Sequence, residues 1–320
     1  MKIIIPGGTG QVGTVLARAF QEGGHEVVIL SRERGSAPWR TVEWDAETLG
    51  GWAAEFEGAD TVINLAGRSV NCRYTDANRR AIKESRVNST RVVGEAIARA
   101  THPPRVWLQM TTATIYAHRY DTPNDEADGI LGGSEPDAPD TWRFSIDVAA
   151  SWERALDEAA TPRTRKVKMR AAMVMSPDGG GVFDTLLRLV RYGLGGRAGD
   201  GRQYVSWIHY EDFVRAVDWL IERDDFAGPV NLAAPNPVPN SEFMRALREA
   251  WGIRFGLPAT GLMLEVGAFF LKSETELILK SRRVVPGKLL ESGFNFQHPA
   301  WPKAARDLCR RWRDPNSAAA

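Results

Sequence analysis

The sequence predicts an α/β fold: a doubly wound parallel sheet followed by a smaller, mainly helical C-terminal domain on the substrate side. Three observations predict it. Short apolar strand patterns alternate with helical patterns through the first half of the 320-residue chain. A glycine-rich turn joins the first strand to the first helix. Helical patterns then dominate the last third of the chain.

The first strand and the turn that follows it carry the strongest local signal. Residues 3–5 are a β-branched run typical of a buried parallel strand, and the apolar spacing of residues 12–20 predicts a helix. Gly7, Gly10 and Gly13 give the G-x-x-G-x-x-G spacing of a nucleotide-binding turn, in which a pyrophosphate lies at the positive end of the helix. An ordinary glycine-rich turn is the alternative. The predicted cofactor-binding residues of this turn are Gly7, Gly8, Thr9, Gly10, Gln11, Val12 and Gly13.

Further strand and helix patterns alternate along the chain, which implies a parallel sheet with helices on both faces. We expect residues 1–175 to form the dinucleotide-binding domain, completed by about residues 205–235, and residues 176–204 and 236–320 to form the substrate-side domain. The predicted strands are 26–30, 61–65, 105–110, 166–174 and 229–232, and the predicted helices are 52–56, 78–99, 145–159 and 212–221, with loops at 121–140 and 191–201.

The end of the second strand predicts which nicotinamide cofactor is preferred. Ser31 and Arg32 stand where an NAD site usually has an acidic residue for the ribose hydroxyls, and an arginine there pairs with the 2′-phosphate of NADP. Glu33 is close enough to compete for the ribose, which leaves NAD as the alternative. Arg34 either assists Arg32 or is a solvated loop charge. We therefore expect NADP(H) in preference to NAD(H).

Two further positions are predicted to contact the cofactor. Asp45 is placed to accept a hydrogen bond from the adenine amino group, with an ordinary turn aspartate as the alternative. Leu65, Ala66 and Gly67 end the third predicted strand at the edge where doubly wound sheets bind ligands. The small residues Ala66 and Gly67 would let the backbone approach the cofactor ribose, although a generic strand-end turn has the same composition.

Composition limits the classes of partner. The chain carries 41 basic and 40 acidic residues, so nucleic acid and anionic membrane surfaces are not expected partners. Two distant cysteines and an N-terminus that begins directly with a strand favour a cytoplasmic protein without a disulfide framework or signal peptide. The apolar stretch 257–271 is too short and interrupted to span a bilayer, and the five histidines lack metal-ligand spacing. We expect a small-molecule substrate; a homodimer is one option for the oligomeric state.

Taken together, these segments resemble the extended short-chain dehydrogenase/reductase superfamily. They are most similar to its atypical branch of uncharacterised sugar-nucleotide epimerases with a characteristic C-terminal module. The resemblance implies a Rossmann domain, an NADP(H) preference and a smaller substrate-side domain, and it leaves the reaction open. The matching segments are 7–13, 62–67, 85–90, 152–153, 179–181, 193–196, 201–203, 206–209, 228–235, 258–259, 284–286 and 293–294.

The resemblance also implies a catalytic Ser or Thr, a Tyr that exchanges the proton and a Lys four residues after it. Thr112 takes the Ser/Thr place, with an ordinary strand end as the alternative. The Tyr-x-x-x-Lys pair is absent: Phe144 and Val148 stand in the expected region, and none of the six tyrosines has a Lys four positions on. The usual mechanism therefore cannot be carried over intact.

Replacement groups and a substrate segment can still be proposed from the sequence. Tyr116 and His118, which follow Thr112, are the leading candidates for the missing acid/base, and each has a structural role as its alternative. Tyr120 and His209 are further candidates. The glycine-rich segment 193–209 is expected to bind an anionic substrate, because its arginines match phosphate or carboxylate. Its candidate contacts are Arg197, Arg202, Gln203, Trp207 and His209.

The sequence thus favours two functions of different classes. The first is an NADP(H)-dependent oxidoreductase or epimerase-like enzyme acting on a hydroxyl or carbonyl of a small metabolite, such as a nucleotide-sugar. The second is an NADP(H)-binding sensor that retains the fold and lacks turnover. The absent Tyr-x-x-x-Lys pair favours the sensor, whereas the polar segment 193–209 favours the enzyme.

Overall fold

Seven parallel strands form the central sheet of the computed structural model, which describes residues 1–33, 37–136, 138–259 and 276–314. The strands are β1 (Lys2–Pro6), β2 (Glu26–Ser31), β3 (Arg40–Glu43), β4 (Thr61–Asn64), β5 (Val106–Thr112), β6 (Arg165–Ala171) and β10 (Gly228–Leu232). Their spatial order is β10-β6-β5-β4-β1-β2-β3. This is the doubly wound arrangement that the alternating pattern predicts.

Four shorter strands form two small sheets in the described part of the chain. Strand β7 pairs in parallel with β9, and β8 pairs in antiparallel fashion with β11. The predicted strand 166–174 is in fact two strands, because β6 belongs to the main sheet and β7 leaves it to join β9. The bounds are β7 (Met173–Met175), β8 (Tyr204–Val205), β9 (Trp207–His209) and β11 (Val238–Pro239).

Nine α-helices lie in the described ranges. The first five of these helices alternate with strands, and the other four follow β10. The segment 52–56, predicted to be helical, is a 3-10 turn, Gly51–Phe56. The helices are α1 (Gln11–Glu22), α2 (Asp76–Arg99), α3 (Asp140–Glu158), α4 (Val182–Arg191), α5 (Tyr210–Glu222), α6 (Asn240–Trp251), α7 (Glu276–Leu279), α8 (Gly287–Glu291) and α9 (Trp301–Arg313).

The middle of the sheet is buried on both faces. Ile3, Ile4 and Ile5 of β1 are completely inaccessible to solvent, because β1 lies between β2 and β4 with helices covering both faces. Continuous apolar strands are typical of such parallel sheets. Strand β3 was not predicted, since it lies at the sheet edge and its residues are exposed or half-buried. The turn from β1 to α1 therefore starts at a fully buried strand in the middle of the sheet.

The C-terminal region has an apolar core of its own. Helices α6 and α9 pack together, and the Phe243 and Trp301 rings stack at a centroid distance of 3.9 Å. Trp207 of β9 contacts Trp301 with ring centroids 5.0 Å apart, which connects this core to the small sheet of β7 and β9. Strand β10 lies at the edge of the main sheet, within the segment expected to complete the dinucleotide-binding domain. The domain boundaries themselves stay a prediction.

No helix in the described ranges is both long and apolar enough to cross a membrane. Most of the apolar stretch 257–271 lies outside the described residues.

Candidate functional site

The turn after β1 has the tight geometry that its glycines predict. Gly7 adopts a φ of +72°, and a Cβ on it would come within 2.5 Å of the Ala66 Cα. A Cβ on Gly13 would lie 2.3 Å from the carbonyl oxygen of Gly8. Gly10, in contrast, has open space where its Cβ would be. Backbone packing therefore requires Gly7 and Gly13, whereas Gly10 faces open space at the start of α1.

The N-terminus of α1 is open to an anion. Gly10 is the N-cap residue and makes no side-chain capping hydrogen bond, so the first backbone N–H groups of α1 lack the usual cap. The side-chain nitrogen of Gln11 is buried and has no hydrogen-bond partner in the described structure. Unsatisfied donors at a helix N-terminus fit a pyrophosphate, because the helix dipole adds positive potential there. The residues present thus fit the phosphates of a dinucleotide.

The residues predicted to read the rest of the cofactor lie beside this turn. Arg32 is exposed just beyond the carboxyl end of β2, and the Ser31 hydroxyl oxygen accepts a hydrogen bond from the Glu33 amide at 3.2 Å. Arg34 lies outside the described residues. Leu65 donates its backbone N–H to the Pro6 carbonyl at 2.9 Å, which holds the end of β4 against the turn.

Asp45 makes the contacts of an ordinary turn aspartate, the alternative that the sequence left open. Its carboxylate accepts from the backbone amides of Glu47 and Thr48, both at 2.9 Å, and from the Thr48 hydroxyl. These hydrogen bonds, the one from the Thr48 hydroxyl foremost, lower the pKa of Asp45. Its contact with adenine stays a prediction.

A cavity of about 140 Å³ begins where β5 ends. Its walls come from the segment before α2, from α2 and α3, and from the residues around α7. Arg86 and Arg282 are basic, Glu276 is acidic, and the remaining side chains are hydroxyl-bearing or apolar. The lining residues are Val70, Tyr74, Ile82, Arg86, Thr112, Thr114, Phe144, Ser145, Val148, Trp152, Glu276 and Arg282.

Thr112 is the one predicted catalytic residue that lines this cavity. It ends β5, and its side-chain oxygen accepts a hydrogen bond from the Thr114 amide at 3.1 Å. Because this bond uses an oxygen lone pair, the hydroxyl hydrogen is left for a second partner. Thr112 is therefore placed to donate to a reacting oxygen.

The positions that lack the Tyr and Lys also line the cavity. Phe144 and Val148 lie one turn apart on α3, and both side chains face the cavity. Tyr74 packs against Phe144 edge to face, with ring centroids 5.0 Å apart. Tyr74 is the one tyrosine among the cavity-lining residues of the described structure. A phenol is thus present beside the expected position, on a different element.

Tyr116 lies elsewhere, in a buried polar network. It is 2% exposed; its hydroxyl donates to Asn231 Oδ1 at 2.9 Å and accepts from Arg170 Nη1 at 2.9 Å. Arg170 in turn pairs with Glu153 through two hydrogen bonds of 2.8 Å. Burial raises the pKa of Tyr116. These contacts support the structural role that the sequence left open as the alternative, and the acid/base role of Tyr116 stays a prediction without support from the geometry.

His118 and Tyr120 also lie outside the cavity lining. The His118 Nδ1 accepts from the Ser281 amide at 2.8 Å, and its ring packs on Trp142 with centroids 4.6 Å apart. Burial, followed by the charge of Lys280, lowers the pKa of His118. His118 thus holds the segment after α7 through a hydrogen bond. Acid/base roles for His118 and Tyr120 stay predictions without support from the geometry.

The residues predicted to bind substrate in segment 193–209 do not line the cavity. The Gln203 side-chain nitrogen donates to the Ala198 carbonyl at 2.9 Å, and Trp207 is buried against Trp301. Arg202 lies over the Tyr120 ring, 5.6 Å from its centroid. These contacts support a structural role for Gln203 and Trp207, and substrate binding by the segment stays a prediction.

His209 is fully buried in a charged cluster at the start of α5. Its Nδ1 accepts from the Glu211 amide at 3.3 Å, and its ring stacks on His298 at 3.6 Å. Ligand atoms of His209, Glu211, His298 and Asp307 lie within 4.8 Å of one another, a grouping that sequence spacing did not reveal. Arg311 already pairs with Glu211 at 2.7 Å and with Asp307 at 2.6 Å. Because an arginine supplies the positive charge, we assign no metal here.

Sequence reasoning missed the contribution of residues 276–282 to the cavity. The Ser145 hydroxyl donates to Glu276 at 2.7 Å, and Arg282 pairs with Glu276 at 3.1 Å and donates to the Thr114 hydroxyl at 3.0 Å. Lys280 donates to the Thr114 carbonyl at 2.8 Å, and burial lowers its pKa to about 8. The concentration of charges after an apolar stretch was the available signal. These residues close one side of the cavity.

The match of the first three quarters of the chain decides the family. Residues 3–233 match the NAD dependent epimerase/dehydratase family. The chain belongs to that family. Residues 260–308 match a second family, described as a domain of unknown function, DUF1731, which includes the cavity-lining residues Glu276 and Arg282. This C-terminal match confirms the resemblance that the sequence motifs indicate.

Relatives of similar length extend over nearly the whole chain. The human epimerase family protein SDR39U1 is 29% identical over 313 residues, which cover 96% of this chain and 99% of the human one. An epimerase family protein of Mycobacterium bovis is 31% identical over 302 residues, 92% of this chain and 93% of the relative.

Solved structures agree with the fold. A crystal structure of human SDR39U1 with NADPH has a TM-score of 0.84 at 27% identity and covers 97% of this chain and 99% of that chain. A UDP-N-acetylglucosamine 4-epimerase from Bacillus cereus has a TM-score of 0.75 at 15% identity, covering 98% and 99%, and supports the fold alone. The Rossmann-like sheet with a smaller helical C-terminal region is thus shown independently of the sequence pattern.

Proposed function

We propose that the protein is an NADP(H)-dependent oxidoreductase or epimerase-like enzyme that acts on a hydroxyl or carbonyl group of a small anionic metabolite. One observation carries the proposal: an uncapped helix N-terminus that fits a pyrophosphate and a cavity lined by Thr112 both lie at the carboxyl edge of the same parallel sheet. In doubly wound folds a dinucleotide crosses this edge from one side of the switch point to the other.

The preference for NADP(H) over NAD(H) is supported by the end of β2. The last residue of β2 is Ser31, which is not acidic, and the next residue, Arg32, is exposed. A guanidinium can pair with a 2′-phosphate through two parallel hydrogen bonds. The human relative crystallised with NADPH is in agreement. Glu33 is the residue that would favour NAD(H) instead.

We assign a separate chemical role to each polar residue around the cavity. A bound nicotinamide supplies or accepts the hydride. Thr112 donates a hydrogen bond to the reacting oxygen, and Tyr74 exchanges the proton in place of the tyrosine that is missing at position 144. Arg86 lines the same cavity as Tyr74, and the charge of Tyr74 acts to raise the pKa of Arg86 against the larger lowering effect of burial. A cation beside the phenol is the role that Lys has in the Tyr-x-x-x-Lys pair.

A cofactor-binding sensor is the second candidate. The observation that favours it is the apolar surface that Phe144 and Val148 present to the cavity, where the superfamily pattern requires a Tyr and a Lys. The sensor needs the same cofactor site and differs in having no proton exchange. Turnover therefore separates the two functions, whereas cofactor binding does not.

A paired titration tests the cofactor assignment. NADPH and NADH are titrated into the wild type and into Arg32→Ala, with Arg18→Ala as the control, because Arg18 is an exposed arginine on α1. We expect NADPH to bind the wild type more tightly than NADH and Arg32→Ala to lose most of that difference. Equal affinities in the wild type would contradict the NADP(H) preference.

A screen of hydride transfer then tests the reaction. Oxidation of NADPH is followed at saturating cofactor against small carbonyl compounds that carry a carboxylate or phosphate, each paired with a neutral analogue. Turnover of the anionic member of a pair supports the enzyme. Tight NADPH binding without turnover of any compound favours the sensor, and absence of binding to either nucleotide contradicts both functions.

A further inference from the structure

Arg86 occupies an unusual position in the cavity wall. It lies in the middle of α2, and its side chain folds beneath Gly67, where a Cβ would come within 3.2 Å of the Arg86 Cγ and Cζ. The guanidinium lies over the Trp152 ring, with its Cζ 4.9 Å from the ring centroid. The backbone of Gly67 and the Trp152 ring therefore hold the guanidinium in one place at the cavity surface.

The hydrogen bonds of Arg86 use one nitrogen of its guanidinium group and leave Nε and Nη2 for a ligand in the cavity. Its Nη1 donates to the carbonyl oxygens of Arg68 at 3.0 Å and Ile82 at 2.9 Å, which uses both hydrogens of that nitrogen. Within the ranges that the structure describes, no carboxylate pairs with the Nε and Nη2 groups. Two adjacent N–H groups that point the same way are the arrangement with which arginine binds a carboxylate or phosphate.

The charge of Arg86 is not balanced by its surroundings. Burial lowers its pKa to about 10, and the opposing effect comes from the charge of Tyr74 rather than from an acidic side chain. Glu276 is the one carboxylate that lines the cavity in the described structure, and Arg282 neutralises it at 3.1 Å. A desolvated cation without a counter-ion is costly, so an anion that enters this cavity gains the interaction that the protein itself does not provide.

The other cavity walls complement an anion that also carries a reacting oxygen. Phe144 and Val148 form an apolar wall on α3, and Thr112 offers its hydroxyl from the end of β5. A ligand with an anionic group at one end and a hydroxyl or carbonyl at the other would pair with Arg86 and Thr112 at the same time. The cavity volume of about 140 Å³ suits a small group rather than a whole nucleotide-sugar.

We propose that Arg86 is the anion-binding residue of the cavity and that it holds the carboxylate or phosphate group of the substrate. This proposal rests on the proposed function, because it treats the cavity as the place where substrate binds. It moves the anion site from the predicted segment 193–209 to the middle of α2, next to Thr112 and Tyr74. The cofactor phosphates are the other possible source of the anion.

The test measures binding of small probes to the full-length protein saturated with NADPH. Ligand-observed NMR gives the dissociation constants of lactate, its neutral analogue lactamide, and inorganic phosphate, all at constant ionic strength. The variants are Arg86→Met, Arg86→Lys and the control Arg80→Met, which removes an exposed arginine from the same helix. Circular dichroism and a separate NADPH titration of each variant establish folding and cofactor binding.

We expect lactate or phosphate to bind the wild type and Arg80→Met, and lactamide to bind at least ~10-fold more weakly than lactate. Arg86→Met should weaken anion binding by ~10-fold or more with little change in NADPH affinity, and Arg86→Lys should recover part of the loss.

Three results would overturn the proposal. They are no anion binding to the wild type, unchanged anion binding to folded Arg86→Met, or loss of NADPH affinity in that variant, which would assign Arg86 to the cofactor. Failure of the wild type to bind NADPH would contradict the proposed function instead, and anion binding measured without NADPH then still tests Arg86.

Discussion

The turn that we propose binds the cofactor and the cavity that we propose binds substrate are built in different ways. The turn is contained in residues 7–13, and its shape follows from backbone contacts that only glycine allows. The cavity draws on residues between Val70 and Arg282, which come together only when the whole chain has folded. A binding element made of backbone therefore leaves a local pattern in the sequence, whereas a site made of side chains from distant segments does not.

The largest expected effect concerns proton exchange in the cavity. With a substrate identified by hydride transfer, Tyr74→Phe should lower kcat by ~10²–10⁴-fold, because the acid/base group is lost while the ring packing on Phe144 remains. The control is Tyr120→Phe, which removes the hydroxyl of a 39% exposed ring outside the cavity lining. An unchanged kcat in Tyr74→Phe would assign the proton exchange to another group and contradict the role of Tyr74 in the cavity.

A pair of glycine variants sharpens the account of the turn. Gly13→Ala places a Cβ 2.3 Å from the Gly8 carbonyl oxygen and should cost at least about 2 kcal/mol of unfolding free energy, with weaker NADPH binding. Gly10→Ala meets open space and should cost less than about 1 kcal/mol, yet still weaken NADPH binding by obstructing the backbone approach. Chemical denaturation and NADPH titration measure both. Equal stability of the two variants would contradict the packing argument.

Lys280 predicts a pH dependence of stability on the cavity side. Its pKa is lowered to about 8 in the folded protein from 10.5, mainly by burial, so above pH 8 the unfolded chain binds more protons. The destabilising cost of its charge is therefore fully present below pH 8 and disappears as pH rises toward 10.5.

The wild type should accordingly gain roughly 1–2 kcal/mol of unfolding free energy relative to Lys280→Met between pH 8 and pH 9.5. Urea denaturation of both proteins across this range measures the difference. A constant difference between them would show that Lys280 does not titrate there.

The smallest effect on turnover is expected at Tyr116. Tyr116→Phe removes hydrogen bonds to Asn231 and Arg170 and should cost about 1 kcal/mol of stability, with kcat within a few-fold of the wild type. Denaturation and steady-state kinetics measure the two quantities. A loss of kcat as large as that expected for Tyr74→Phe would restore Tyr116 as the acid/base and contradict its buried structural role.

The fold could be predicted from the sequence to a large extent, because continuous apolar runs and helical spacing are local patterns. The central strands and α1, α2 and α5 were predicted in order, whereas β3 was missed because an exposed edge strand lacks a continuous apolar pattern. Helix α4 was also missed, although Phe183, Leu187 and Val190 follow helical spacing on its buried face. The break between β6 and β7 could not be predicted, since it depends on pairing with β9.

The candidate site was predictable only in part. Thr112 lines the cavity as expected, since it follows directly from the end of a predicted strand. Arg86 lies in the matching segment 85–90, but that match did not indicate a role at the cavity, and Tyr74 lies in none of the matching segments. Gln203, Trp207 and His209 had suitable chemistry, yet burial commits their side chains to other contacts. Residue type suggested a role, and only position in the fold could decide it.

A crystal structure of the protein with NADPH would locate both ends of the cofactor. We expect the pyrophosphate at the N-terminus of α1 beside Gly10, with the nicotinamide ring at the cavity in contact with Thr112. A nicotinamide ring directed into solvent, with the cavity left to protein side chains, would contradict a redox site and support a cofactor-binding sensor.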